Sequence, residues 1–494
     1  MNKYVLVLDQ GTTSSRSILF DFYGKIVGQC NKEFTQIYPQ PSWVEHDPLE
    51  IWESQLFTLH QVLKQTGVKP EEIVSIGITN QRETTVIWDK NTGKPLYNAI
   101  VWQCRRSKDI CNKLVAEGFD KEIKQKTGLV TDAYFSGTKL KWLLENNEEL
   151  KNKAENGEVL FGTIDSWLVY NLTKGKLHIT DVSNASRTML FNINTLNWDQ
   201  DILKHFGISE KLLPEVKSSS EVYGYLDKDI LGLEIPIAGI AGDQQAALFG
   251  QTCFDIGEVK NTYGTGCFML MNTGEKIHLS NSGLLTSIAW KIGNKTEYIL
   301  EGSVFIGGAV VQWLRDELEI IKTAAETEEI AQKLNDNQGV YFVPAFIGLG
   351  TPYWNMEVRG NISGLTRGSG KNAIVRSALE SIAYQTKDVT DCMLKDANLS
   401  SLKSLKVDGG ACTNNFLMQF QADILNTEVE RPKVVETTAL GAGYLAGLAT
   451  GFWNSKEEIK KNREVDKLFY PDKNRPIFEN YYTGWKKAVN NLLK

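Results

Sequence analysis

The chain has little of what marks several classes of function. Its 494 residues hold five histidines and seven cysteines, and the cysteines, at 30, 104, 111, 253, 267, 392 and 412, form no CxxC pair. That spacing offers neither a structural zinc site nor a disulfide framework, and it fits reduced thiols in a cytoplasmic protein. Positive charge is not in excess: 54 Lys and Arg face 60 Asp and Glu, a net charge of −6, so no nucleic-acid partner is expected. The apolar run near the start, "YVLVL" at 4–8, is too short for a signal segment. Nothing approaches the roughly 18 apolar residues that would span a membrane, so no membrane insertion is expected. Low-complexity tracts are missing, and so is the GxxxxGK[ST] phosphate loop: "GSGKN" at 368–372 has the wrong spacing and lacks the final hydroxyl.

What is present is an ordinary globular composition, 42% hydrophobic and 23% charged, at a length that implies about two or three domains. The hydrophobic periodicity is mixed α/β. Strand-like runs fall at 4–8, 16–22, 73–79, 85–88, 236–241, 268–271 and 403–407. Helical patterns fall at 49–65, 139–148, 305–318, 372–393, 414–425 and 476–493. Residues 257–271, "GEVKNTYGTGCFMLM", repeat the plan of the opening: a polar entry, a Gly-Thr turn and an apolar strand. Two similar units are therefore expected, 1–250 and 251–494, facing one another.

The opening unit is "LDQGTTSSR" at 8–16, an apolar strand ending in Asp9, a turn rich in hydroxyls, then Arg16 and a second apolar run. Backbone N–H groups and hydroxyls in a tight turn make an anion nest. The second run follows at once, so the turn joins two strands rather than a strand and a helix, and GxGxxG is absent from it. Thr12, Thr13 and Ser14 supply the turn, and Arg16 supplies a fork of donors for phosphoryl oxygens. Asp9 would repel a phosphate, but it can hold Mg²⁺ through water. A plain hairpin with a solvated tip is the alternative. Thr265 occupies the turn of the second unit.

Two further stretches carry chemistry. "GIAGDQQAALFG" (239–250) is an apolar strand running into a small-residue helix, which puts Asp243 at a strand end. A carboxylate there can take a proton from an attacking hydroxyl, or it can cap the helix. "NQRETT" (80–85) interrupts a strand pattern with six polar residues. Arg82 and Glu83 would point to opposite faces of a regular strand, so both reach one ligand only if the chain bends there. Such a pair suits a polyol, whose hydroxyls donate and accept; a surface ion pair is the alternative.

A phosphate hairpin preceded by Asp and repeated in a second domain resembles the actin and hexokinase type of ATPase. The blocks "NQRETT", "IVWQCRR" (100–106), "YFSGTKLKWLLEN" (134–146), "GIAGDQQAALFGQ" (239–251), "YGTGCFML" (263–270), "VFIGGAVVQWLRDE" (304–317) and "VDGGACTNNFLMQFQADIL" (407–425) are similar to the FGGY carbohydrate kinases. The likeness runs from about residue 3 to about 455. The set "QRE", "GDQQ" and "YGTGCF" favours members acting on glycerol over those acting on sugars such as xylulose. The resemblance implies an α/β chain of two actin/hexokinase-like (ribonuclease H-like) domains flanking a deep cleft, with ATP and Mg²⁺ used to phosphorylate glycerol. It makes Asp243 the catalytic base, lying near Mg²⁺. It gives Arg82, Glu83, Tyr134, Asp243 and Gln244 to the substrate hydroxyls, and Trp102 and Phe268 to the C–H side of the three-carbon chain. It gives Gly410 and Asn414 to adenosine, where a glycine-rich helix entry is the alternative reading, and Gly308 and Gln312 to the nucleotide. A homodimer or homotetramer is implied by the same likeness. In segment 223–236, "YGYLDKDILGLEIP", neither Arg nor His occurs, so control by fructose bisphosphate or by histidine phosphorylation does not carry over from relatives. An actin-like ATPase switch is the competing class. It needs no polyol pocket, and the "NQRETT" and "YFSGTKLKW" blocks argue against it.

Overall fold

The computed structural model describes residues 3–473 and 475–494. Thirteen strands form one mixed sheet, and the sheet contains the same unit twice. In the first half Tyr4–Gln10, Ser14–Phe20 and Ile26–Glu33 run antiparallel to their neighbours, while Ile73–Asn80 and then Pro236–Gly242 extend the other side in parallel. In the second half Glu258–Tyr263, Cys267–Gly274 and Lys295–Val304 make the antiparallel part, and Ser404–Asp408 and Val429–Pro432 the parallel part. Both halves thus read 3-2-1-4-5 across the sheet. They meet where Ser220 pairs with Ile292.

The parallel strands are apolar on both faces because both faces are covered. One face of the first half packs under the helix Pro48–Thr66 and the helix Ile164–Leu172, in a core that includes Leu6, Ile76, Trp88 and Trp167. The first of these helices is well specified in sequence: Asp47 caps it by accepting from the Leu49 N–H, Pro48 opens it, and Gly67 ends it in the left-handed region. The corresponding face of the second half lies under the helices Lys371–Ala397 and Asn415–Leu425. The expected helix over 139–148 is two, Ser136–Glu145 and Glu148–Glu155, broken at Asn147, which caps the second.

The remaining two faces are joined. Each half ends its fifth strand in a helix, Asp243–Gly250 in the first and Thr437–Ala449 in the second. The second helix packs not on its own sheet but on that of the first half, where Leu440, Ala442, Tyr444 and Ala446 share a core with Val5, Val7, Phe20 and Ala238. Leu248 and Phe249 of the other helix share that core with Leu270, Trp290 and Ile299 of the second half. The two helices cross backbone to backbone. A Cβ on Gly441 would overlap the Ala246 carbonyl, and one on Gly250 would overlap that of Thr437. Glycine is required at both by this approach.

Candidate active site

The carboxyl ends of the parallel strands are where ligands bind in open α/β sheets. Here the ends of both halves come together, and nearly all the polar residues singled out above stand there.

The first hairpin pairs Asp9 with Arg16 across its two strands, so the two side chains are neighbours by register. Asp9 is 3% exposed, and its carboxylate pairs with the Arg16 guanidinium. Arg16 also reaches Glu436 of the second half at 2.6 Å. Burial pushes the Asp9 carboxyl above its ordinary range despite Arg16, with Glu436 and Asp243 adding to the push. The tip between the strands is tied by Gly11 N–H to Ser14 O at 2.9 Å, with Thr13 exposed. Trp102 Nε1 donates to Thr12 Oγ1 at 3.1 Å, so the hydroxyl turn and the aromatic wall touch directly.

"NQRETT" bends where its strand ends. Ile73–Asn80 ends, Glu83 takes φ +61°, and Thr84 N–H closes on Arg82 O at 2.7 Å. Both side chains then lie on one side, with Arg82 Nε 3.6 Å from Glu83 Oε1. They are 3% and 1% exposed, which excludes a surface ion pair. Asp243 is the first residue of its helix and Gly242 is the cap, with no side-chain capping bond. The Asp243 carboxylate stands at the strand end, with Oδ1 accepting from Gln244 N–H at 2.7 Å and lying 3.2 Å from Arg82 Nε, and about a third of the side chain is open to solvent. Gln244, next in sequence, accepts from Lys260 Nζ at 2.5 Å. Tyr134 and Trp102 meet edge to face at 5.5 Å, and both are half-buried. Burial, with Glu83 beside it, raises the Tyr134 hydroxyl, which stays protonated as a donor. Phe268 is half-buried in the strand after the second hairpin turn.

Around the second turn, Thr265 is exposed, and its carbonyl accepts from Gly307 and Ala309 N–H at 2.8 and 3.1 Å. Gly308 N–H bonds Gly264 O at 2.8 Å. The turn and the start of helix Ala309–Asp316 are thereby one unit, from which Gln312 projects into solvent one turn on. The glycine pair after Ser404–Asp408 divides its work. Gly409 holds φ +87° against Tyr263, whereas a Cβ on Gly410 would meet nothing within 4 Å. Gly410 is thus the open one. Asn414 is engaged within the protein: Oδ1 caps the helix Asn415–Leu425 through Leu417 N–H at 2.9 Å, and Nδ2 reaches Thr327 Oγ1 at 3.1 Å. The helix-entry reading fits its side chain.

Three residues absent from the sequence reading stand at the centre. Glu301 takes Arg82 on both oxygens, at 2.7 and 2.9 Å, and is 1% exposed. Arg187, fully buried, donates to Glu83 Oε1 at 2.6 Å and to Glu301 Oε1 at 3.3 Å. Burial would raise the Glu301 carboxyl, but Arg187 and Arg82 together hold it down at about 2. Glu83 shares fewer of those donors, so burial prevails there and its carboxyl is raised. Lys260 is buried between Gln244 and Thr262, and burial lowers its ammonium against the pull of Asp408 and Asp243. Glu301 left a signal in the sequence, a single charge inside the apolar run "YILEG", which is buried only when paired; Arg187, in the polar stretch "NASRTML", left none.

The donor set fits a hard divalent cation bound with a phosphate. Asp9 is buried with its charge incompletely compensated, and Asp243 couples to it electrostatically. Among the described residues no group of three or more metal-binding side chains occurs. Mg²⁺ does not need one, since it keeps waters and takes phosphate oxygens besides one or two carboxylates.

The comparisons with known proteins agree with this geometry. The N-terminal domain of the FGGY family of carbohydrate kinases matches residues 4–250, and its C-terminal domain matches residues 259–450. A glycerol kinase of Caldanaerobacter subterraneus subsp. tengcongensis is 65% identical over 494 residues, covering 100% of this chain and 99% of that one. Glycerol kinase 2 of Thermotoga maritima is 62% identical over 491 residues, 99% of each chain. The crystal structure of Plasmodium falciparum glycerol kinase with ADP superimposes with a TM-score of 0.96 at 40% identity, covering 100% of this chain and 99% of that one.

Proposed function

This chain belongs to the FGGY family of carbohydrate kinases, and on that premise we propose that it transfers the γ-phosphoryl group of ATP to a primary hydroxyl of glycerol, giving sn-glycerol 3-phosphate and ADP. The observation that carries the reading is the buried Arg82–Glu83 pair with Asp243 Oδ1 3.2 Å from the guanidinium, on a chain 65% identical from end to end to a glycerol kinase.

Asp243 is the general base. Its carboxylate accepts the hydroxyl proton as the substrate oxygen bonds to the γ-phosphorus and the bond to the ADP oxygen breaks. Arg82, Glu83, Tyr134 and Gln244 orient the polyol hydroxyls, and Trp102 and Phe268 enclose its carbon chain. A wrong ligand would leave these buried polar groups unpaired, which is how such a site rejects it. Thr12, Thr13, Ser14 and Arg16 receive the phosphates from the first half and Thr265 from the second. Gly308, Gln312, Gly410 and Asn414 border the nucleoside, Asn414 through the helix it caps. Asp9 and Asp243 would hold Mg²⁺, which when bound offsets the charge of the phosphates. The units proposed are 1–250, with the polyol site and the base, and 251–494, with the nucleoside site. Among the described residues no helix is long and apolar enough to cross a membrane. The location proposed is the cytoplasm, where ATP is regenerated, and the assembly proposed is a homodimer or homotetramer.

The test is ADP release from Mg·ATP against glycerol, erythritol, xylulose, xylitol, gluconate and no acceptor. Turnover with glycerol above the rest supports the proposal. Preference for a larger acceptor would overturn the pocket assignment, and acceptor-independent hydrolysis would overturn the kinase reading.

A further inference from the structure

The proposed polyol ligands are not free side chains. Arg82 has five N–H groups, and four are engaged or directed by its neighbours. Both on NH1 are used, by Glu301 Oε2 at 2.7 Å and Gln245 Oε1 at 3.1 Å. One on NH2 goes to Glu301 Oε1 at 2.9 Å, and Nε faces Asp243 Oδ1 at 3.2 Å. A single N–H on NH2 is left. Glu83 is limited in the same way: Oε1 takes Arg187 Nε at 2.6 Å, and Oε2 has no hydrogen-bond partner among the described residues. Arg187 is itself aligned by Ser287 Oγ at 3.0 Å and by Glu301. What these contacts leave unengaged is one Arg82 donor and one Glu83 acceptor, the complement of a hydroxyl group.

Glu301 belongs to the second half. It lies in the strand Lys295–Val304, opposite Leu270 and two residues from Ser303, which pairs with Phe268. Phe268 and Glu301 therefore lie on one face of that sheet, and Glu301 reaches Arg82 and Arg187 of the first half. The polyol pocket is completed by the two halves together.

We infer that Glu301 and Arg187 are positioning residues for the polyol site: by engaging the other atoms of Arg82 and Glu83 they select the one donor and one acceptor offered to substrate. This rests on the proposed reaction, and it adds to that reading where its specificity for hydroxyls comes from. Neither residue touches the substrate. Their effect is on hydroxyl recognition and not on nucleotide binding, because their contacts run to Arg82, Glu83, Ser287 and the rings of Tyr134 and Phe135, and not to either hydroxyl turn.

The experiment compares wild type, Glu301→Gln and Arg187→Lys. It reads KM for glycerol, KM for ATP, and the ratio of kcat/KM for glycerol to that for propane-1,2-diol, which lacks one primary hydroxyl. Calorimetric ADP binding serves as the check of fold. Glu301→Gln keeps the shape but puts an amide N–H against a guanidinium. Its KM for glycerol is expected to rise about tenfold or more, and its glycerol preference to fall by a similar factor, with KM for ATP within about twofold. Glu301→Asp should recover part of the preference. If Glu301→Gln fails to bind ADP, Arg187→Lys decides, since it keeps the charge and loses the fork. A variant that binds ADP with an unchanged glycerol preference, or with both KM values raised in parallel, overturns the positioning role. Wild type without glycerol turnover overturns instead the reaction it rests on.

Discussion

Arg82 Nε lies 3.2 Å from Asp243 Oδ1, and this contact joins the residue proposed to bind the polyol to the residue proposed to deprotonate it. A cation so placed fixes the direction of the Asp243 carboxylate. Asp243→Asn keeps the size and removes the base. Glycerol-dependent ADP release is expected to fall about 10²–10⁴-fold, with thermal stability and ADP affinity retained. Stopped-flow or coupled-assay kcat beside calorimetric ADP binding makes the measurement.

The two glycine-rich helix contacts give a stability prediction. Gly441→Ala drives a methyl into the Ala246 carbonyl, a rigid backbone atom, so the crossing helices must separate. A loss of about 1–3 kcal/mol or more is expected, seen as a lower urea midpoint.

Gly410 and Asn414 separate nucleotide contact from architecture. Gly410→Ala adds a methyl to open space and should leave Tm unchanged. If adenosine lies where we place it, that methyl raises KM for ATP several-fold; an unchanged KM would move the nucleoside elsewhere. Asn414→Ala removes a helix cap and should cost about 1 kcal/mol of stability.

Acid should weaken the protein through His46. Burial lowers its imidazole from 6.5 to about 4, and Nε2 bonds Gln36 Oε1 at 2.8 Å. The folded state therefore holds the neutral ring while the unfolded chain takes up a proton below 6.5. The stability this contributes is complete above pH 6.5 and is lost as pH falls toward 4, up to about 3 kcal/mol. His178, likewise lowered to about 4, acts in the same direction. Urea unfolding at pH 7 and 4.5 should show a smaller acid loss in His46→Gln than in wild type.

Much of the fold was legible in the sequence because its elements obey simple periods. The runs around 4–8, 73–79 and 236–241 are buried parallel strands, and the Asp9 and Arg16 pairing follows from a hairpin register that the turn length dictates. The repeat at 257–271 pointed to a duplication that the strand order repeats in full. Asp243 was ambiguous between base and cap because both place a carboxylate before a helix; Gly242 takes the cap. The roles of Glu301 and Arg187 come from partners more than a hundred residues away, Arg82 and Glu83, and Lys260, held by Gln244 and Thr262, stands in a strand that reads as ordinary. Asn414 shows the reverse case, a residue assigned to a ligand by its block and committed by geometry to Leu417 and Thr327.

The helix Thr437–Ala449 covers the sheet built by the first 250 residues, yet it is synthesised well after them. A nascent chain that has completed Tyr4–Gln10, Ile73–Asn80 and Pro236–Gly242 therefore carries an uncovered apolar face, including Val5, Val7 and Ala238, until the ribosome reaches Ala449. Half-made chains are the species that aggregate. The first unit cannot finish folding on its own schedule.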